Sequence, residues 1–169
     1  MDLIHELGPL ALASRLKRLS ERLLKDGSQV YKNLEVEFEA RWFPVVYLLK
    51  DHDEMAVTEV ATKLGLTHPA VNQVAGDLER HGLLVSSRDR EDERRRLLSL
   101  SAEGHRVVES LEPVWADIRA ATAEVLAEVG GDLLAGIEAV ERCLDEAGMY
   151  ERVMMRVEKR NKAKRNSRR

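Results

Sequence analysis

Val57-Thr-Glu-Val-Ala-Thr-Lys-Leu-Gly-Leu-Thr-His-Pro-Ala-Val-Asn-Gln-Val-Ala-Gly-Asp-Leu-Glu-Arg-His-Gly-Leu-Leu-Val85 decides the fold of this chain. It reads as a helix, a tight turn, a second helix and the start of a strand. Val57, Val60, Ala61 and Leu64 make a short apolar stripe at helical spacing, with Ala61 small where a second helix must cross. Gly65 is placed to end that helix in a left-handed conformation that a Cβ would oppose. Thr67 is a candidate N-cap, and Pro69 falls in the first turn of the next helix, where no amide donor is missed. Val71, Val74, Ala75 and Leu78 then face inward, which turns His68, Asn72, Gln73 and Arg80 outward. An outward face led by Asn and Gln suits a reader of the DNA major groove, because a side-chain amide can pair bidentately with adenine.

Gly82 ends the second helix, and Leu83–Ser87 and Arg96–Leu100 are expected to pair as two strands around a charged tip. The tip sets Arg88, Arg90, Arg94, Arg95 and Arg96 against Asp89, Glu91, Asp92 and Glu93. As a functional element it is a wing, with an arginine entering a narrow, A·T-rich minor groove where negative potential is concentrated. The neighbouring acids would hold the arginine in place, with Asp92 orienting Arg94 through a charge-assisted bond. The plain alternative is a solvated, salt-bridged loop. Ser101 is the expected cap of the helix that follows.

Asp92-Glu-Arg94 followed by Leu100-Ser-Ala-Glu-Gly104 resembles the Asp-x-Arg wing and Leu-Thr/Ser-x-x-Gly helix start of the MarR (multiple-antibiotic-resistance regulator) family. Glu79-Arg-His-Gly82 and Leu83 are similar to that family's exit from the recognition helix. The resemblance covers residues 40 to 112. It departs at Gly76 and Asp77, where basic residues are common, a change expected to weaken the grip on phosphates. The resemblance implies a winged helix-turn-helix transcription regulator, a repressor that binds double-stranded DNA as a homodimer. The DNA-binding set it implies is Thr67, His68, Pro69, Asn72, Gln73, Arg80, Arg90, Asp92, Arg94 and Arg95. It also implies a small-molecule pocket between the dimer and DNA-binding regions. Trp42 and Tyr47, core residues on first reading, would border that pocket and face a small apolar or aromatic effector.

The flanks carry a helix-packing pattern. Leu12, Leu16, Leu19 and Leu23 recur at four-three-four spacing, and Leu133, Ile137, Val140 and Leu144 repeat it. Val107, Leu111, Val114 and Ile118 continue it in a long helix that Pro113 should bend. Terminal stripes this far from the central module need a partner, and a second subunit is the economical one. The expected fold is therefore mainly α with a small β wing, a winged helix-turn-helix flanked by N- and C-terminal dimerisation helices. Its expected divisions are 1–35 for the N-terminal dimerisation helix, 36–104 for the DNA-binding region, 105–155 for the C-terminal dimerisation helices and 156–169 for a basic tail.

Charge distribution supports the same class. The 169-residue chain is net −3, yet residues 156–169 hold eight basic residues against Glu158, which leaves the first 155 residues at about −10. Such a tail reads first as a solvated, partly disordered segment and second as a backbone-binding arm. No apolar run approaches the length of a membrane span, and the acidic start, Met1-Asp-Leu-Ile-His-Glu6, does not read as a secretory signal. With the single Cys143, this points to a cytoplasmic protein without a disulfide framework. Cys143 reads as a buried, inert thiol. His5, His52, His68, His81 and His105 lack metal-site spacing. No catalytic residue, cofactor or metal is expected. The rival reading is a winged-helix module that binds a partner protein and does not read DNA sequence.

Overall fold

In the computed structural model, which describes residues 2–166, the chain divides into one unit up to Ile118 and a second from Arg119 onward. The elements are α1 (Leu3–Glu6), α2 (Leu12–Asn33), α3 (Phe43–Leu49), β1 (Met55–Ala56), α4 (Val57–Leu64), α5 (His68–Arg80), β2 (Leu84–Arg88), β3 (Arg96–Leu100), α6 (Ala102–Val129), α7 (Leu133–Glu146) and α8 (Met149–Asn166). The mainly helical fold with a small wing is the one the sequence points to.

Local chemistry sets the boundaries at the centre. Gly65 takes φ 63°, and the amides of Leu66 and Gly65 bond back to the carbonyls of Ala61 and Thr62, closing the end of α4. Thr67 Oγ1 accepts the Ala70 amide at 3.3 Å, so α5 starts where the sequence places it. Gly82 takes φ 69° at the exit, and β2 begins at Leu84, one residue later than expected.

The sheet has three strands in the order β1–β3–β2, all antiparallel. β1, absent from the sequence reading, pairs Met55 with Leu98 and Ala56 with Leu97. Alternation along β3 sends Leu98 and Leu100 into the core. They meet Val60 and Ala61 of α4, Val71, Ala75 and Leu78 of α5, and Val108 and Leu111 of α6. Beneath the helix-turn-helix lies an aromatic cluster. Phe38 packs edge-on to Tyr31 and Trp42, and buried Trp115 donates from Nε1 to Tyr31 Oη at 3.1 Å. Burial pushes the Tyr31 phenol pKa up, so it stays protonated and available to that network. α6 continues as helix through Pro113, the expected bend site.

The apolar stripes at the ends are uncovered within one chain. Leu12, Leu16, Leu19 and Leu23 of α2 are all exposed, Leu16 and Leu19 at 49% each. In the second unit no described residue is buried, and Leu133, Ile137, Val140 and Leu144 lie open along α7. Two expectations need correcting here. Cys143 is exposed, because its helix has no cover within the chain. The basic segment from Arg156 is helical as far as Asn166, because Lys, Arg, Glu and Ala favour helix once a preceding turn nucleates it. Ser167, Arg168 and Arg169 of that tail lie outside the described residues.

Candidate nucleic-acid interface

α5 presents the outward face the sequence implies. Thr67, His68, Pro69, Asn72, Gln73 and Arg80 are exposed, while Val71, Ala75 and Leu78 on the opposite side are sealed. Gly76 completes the outward row one turn after Asn72. A Cβ built there meets nothing nearer than the Arg80 guanidinium at 4.0 Å, so the fold itself does not require a glycine.

Asp77 is the buried polar residue of the helix, 7% exposed. Its carboxylate accepts from Arg41 at 2.9 Å and from Arg80, one turn on. The departure from the family pattern at Asp77 is thus an anchor. It ties α5 to the segment before α3 and turns Arg80 back along the helix, a role that sequence spacing cannot reveal. His81 continues the anchor, its Nδ1 lying 2.8 Å from the Asp77 carbonyl and its ring tilted over Trp42 at 4.7 Å.

Asn72 is not wholly free to read bases. Its Oδ1 accepts from Arg96 at 2.9 Å, and the same guanidinium bonds Glu79 at 2.7 Å. Hydrogen bonds from Ser86 and then Arg96 hold the Glu79 carboxyl pKa below the usual range, against the effect of burial. Arg96 therefore stitches β3 to α5, a part missed in the sequence because the partners are 17 and 24 residues away. Gln73 has no side-chain partner among the described residues and is the less encumbered amide.

The wing is organised by its acids, though not as expected. Asp92 Oδ1 accepts the backbone amide of Arg94 at 3.0 Å, and its carbonyl accepts the Arg95 amide at 2.8 Å. Asp89 Oδ1 likewise accepts the Glu91 amide at 2.9 Å. Both aspartates thus shape the turn, because a short carboxylate reaches an amide two residues on more easily than a long side chain. Asp92 orients the backbone of Arg94 and leaves the guanidinium alone.

Arg95 points away from the tip. It bonds Glu59 of α4 at 2.8 Å and Asp89 at 3.1 Å, and Glu59 also accepts the Ala56 amide at the start of α4. Of the arginines read as DNA contacts, Arg95 is thus a clamp between wing and helix-turn-helix. Arg88, Arg90 and Arg94 have no side-chain partner among the described residues and are exposed.

Trp42, expected to border a ligand pocket, is 1% exposed and belongs to the core; its Nε1 donor has no acceptor. Tyr47 is open at 36% and stands against Phe43 and Trp115 at 5.1 and 5.6 Å. Lys50 lies 4.9 Å over the Tyr47 ring and bonds Glu112 at 2.9 Å. No cluster of metal-ligating side chains occurs among the described residues.

An outward polar helix beside a wing with unpaired arginines defines a winged helix-turn-helix. Within that class, residues 38–95 match the model of the MarR family. The transcriptional regulator PcaV of Streptomyces coelicolor, in complex with its natural ligand, is similar at 27% identity and TM-score 0.63, with 87% of this chain and 96% of that one covered. A cysteine-to-serine mutant of MarR from E. coli, complexed with operator DNA, shares the fold at 18% identity and TM-score 0.63, over 85% of this chain and 99% of that one. So does MepR of S. aureus in its DNA complex, at 18% identity and TM-score 0.58, over 80% and 94%. Among curated proteins the chain has no match.

Proposed function

We propose that this chain is a cytoplasmic transcription regulator that binds a pseudo-palindromic operator as a homodimer and is released from it by a small aromatic or apolar acid. The observation that carries the DNA-binding reading is the division of labour among the wing arginines. Arg95 and Arg96 fix the wing to α4 and α5, and Arg94 and Arg90 are held out at the tip. A turn that serves only solvation has no need of two aspartates and a clamp to hold it. Gln73 and His68, with the free amide hydrogens of Asn72, read base edges, and Arg94 enters the minor groove. DNA-bound MarR and MepR, which have this fold, support the reading.

The test is a titration of a duplex chosen by selection from a randomised pool. Arg94→Ala should weaken binding by about 1–3 kcal/mol without unfolding the protein, and Gln73→Ala should relax preference at one or two positions per half-site by a similar amount. Asp92→Ala should weaken binding less, through the shape of the turn. Unchanged binding by Arg94→Ala removes the wing from the interface. If the Gln73→Ala protein also selects the same consensus, another element reads the bases.

The effector reading rests on a wall of exposed Tyr47 and partly buried Phe43, backed by buried Trp115, with Lys50 at its rim, a surface suited to an aromatic ring bearing an anionic group. PcaV, at 27% identity, is known with its natural ligand bound. A ligand that favours one spacing of the recognition helices must bind DNA-free protein more tightly, by the same factor that it weakens DNA binding. Calorimetric titration of aromatic acids with and without operator should show this reciprocity. Equal affinity in both titrations removes the wall as a regulatory site.

A further inference from the structure

The helix that follows α7 changes character along its length. Met149, Tyr150, Val153 and Met154 are exposed apolar residues in its first turns. From Arg156 to Asn166 the apolar residues are only Val157 and Ala163, set among Arg156, Lys159, Arg160, Lys162, Lys164 and Arg165. At 100° per residue those six cations fall on every side of the helix rather than along one face. The root is fixed, because Arg152 donates from Nε to the Ala147 carbonyl at 2.6 Å and from Nη2 to the Cys143 carbonyl at 2.5 Å, capping the end of α7. A rigidly rooted rod of positive charge thus leaves a chain that is otherwise acidic.

We propose that the basic half of α8, from Arg156 to Arg165, is a second DNA-binding element that grips the phosphate backbone without reading sequence. Charge complementarity selects this partner. A duplex carries phosphates about every 1.7 Å of its axis, and a cationic segment of roughly 15 Å can displace counterions from several of them. An anionic membrane surface would require an apolar face running the length of the cationic stretch, and the apolar residues stop at Val157 instead, apart from the small Ala163. The arm also answers an electrostatic problem. The first 155 residues carry a net charge of about −10, by the count of charged residues, and repel DNA at long range. The arm offsets that repulsion and raises the local concentration of duplex around the protein.

The inference rests on the DNA-binding function proposed above, so its test separates the two. The full chain with Lys159→Gln, Arg160→Gln, Lys162→Gln and Arg165→Gln keeps helix-forming residues while removing four charges. Fluorescence anisotropy is measured with the selected duplex and a scrambled one across a salt series, beside wild type and Arg94→Ala. The four-fold variant should lose about 10- to 100-fold in affinity for both duplexes at low salt, with the selected-to-scrambled ratio unchanged. The slope of log affinity against log salt should become shallower by about 0.9 for each phosphate no longer neutralised. If Arg94→Ala loses binding while the four-fold variant keeps wild-type affinity and slope, the arm is overturned and the winged helix stands. If wild type binds neither duplex, both readings fall. Sedimentation with phosphatidylserine vesicles that the four-fold variant abolishes, with DNA binding intact, would assign the arm to a membrane and overturn the proposal.

Discussion

Gly104→Ala should destabilise the fold by about 3 kcal/mol, lowering the melting temperature by roughly 6–12 °C. Gly104 sits at the start of α6, where Ser101 binds the strand opposite. Ser101 Oγ accepts the Gly104 amide at 2.9 Å and donates to the Gly82 carbonyl at 2.6 Å, and the Ser101 amide donates to the Leu83 carbonyl at 3.1 Å. This draws the first turn of α6 so close that a Cβ on Gly104 would lie 2.1 Å from Leu83 O and 3.1 Å from its carbonyl carbon. The obstacle is backbone held in a hydrogen bond, which cannot swing aside as a side-chain tip could. The helix must retreat by about 1 Å, loosening its packing on Leu100 and weakening the Ser101 bonds, each worth about 1 kcal/mol. Thermal denaturation measures the loss. Gly136→Ala in α7, where an added Cβ meets nothing within 4 Å, should instead gain up to about 1 kcal/mol. A Gly104→Ala protein within about 1 kcal/mol of wild type would show that the junction yields more easily than its geometry implies.

That glycine shows what a sequence carries and what it withholds. The Leu100-Ser-Ala-Glu-Gly104 motif is legible as a helix start, since Ser101 caps and Gly104 follows three residues later. The reason for the glycine is the carbonyl of Leu83, far back along the chain and visible only once β2 and α6 meet. The same distinction runs through the site. Gly65, Thr67 and the helical spacing of Val71, Val74, Ala75 and Leu78 are local signals, and they place α4 and α5 correctly. Asp77, Arg95 and Arg96 are governed by partners on other elements. Read in isolation they look like a missing phosphate contact, a groove arginine and a strand residue, and the fold also uses them as anchor, clamp and stitch. β1 escaped notice because two residues carry no alternation to detect. The helical state of the segment after Arg156 was obscured by charge, since a run of cations suggests solvated coil although the same residues have good helix propensity.

The division between arginines engaged within the protein and arginines left open has a consequence for mutagenesis. Arg95→Ala frees Glu59 and Asp89 together, so it should loosen the wing and lower DNA affinity through the shape of the wing. Arg94→Ala leaves every side-chain bond within the protein in place. Affinity alone therefore does not separate a direct contact from a support, whereas protection of the wing amides against hydrogen exchange does. Arg94→Ala should leave that protection intact and Arg95→Ala should reduce it.

The pair Leu16→Glu and Leu19→Glu should separate the proposed homodimer and lower operator affinity by about 100- to 10,000-fold, the advantage that joining two binding modules provides. Both leucines are half-exposed within one chain and line a groove on α2 with Pro9 and Leu12, flanked by Arg15 and Arg22. Substitution of residues already open to water costs a lone chain little, within about 0.5 kcal/mol. In a dimer each would bury a carboxylate against an apolar seam, which costs far more than the leucine packing it replaces. The second unit argues for the same assembly by another route. With no described residue buried, α7 and α8 have no core of their own, and isolated helices of 14 and 18 residues are marginal in water. A second subunit would supply the cover they lack. Two recognition helices set about one duplex turn apart then read one operator together, and a lone chain reads half of it. Sedimentation velocity and anisotropy on the same samples decide the matter. A variant that remains dimeric excludes the α2 stripe from the interface. A monomeric variant that holds operator with wild-type affinity shows that one winged helix suffices, and the pseudo-palindromic reading then fails.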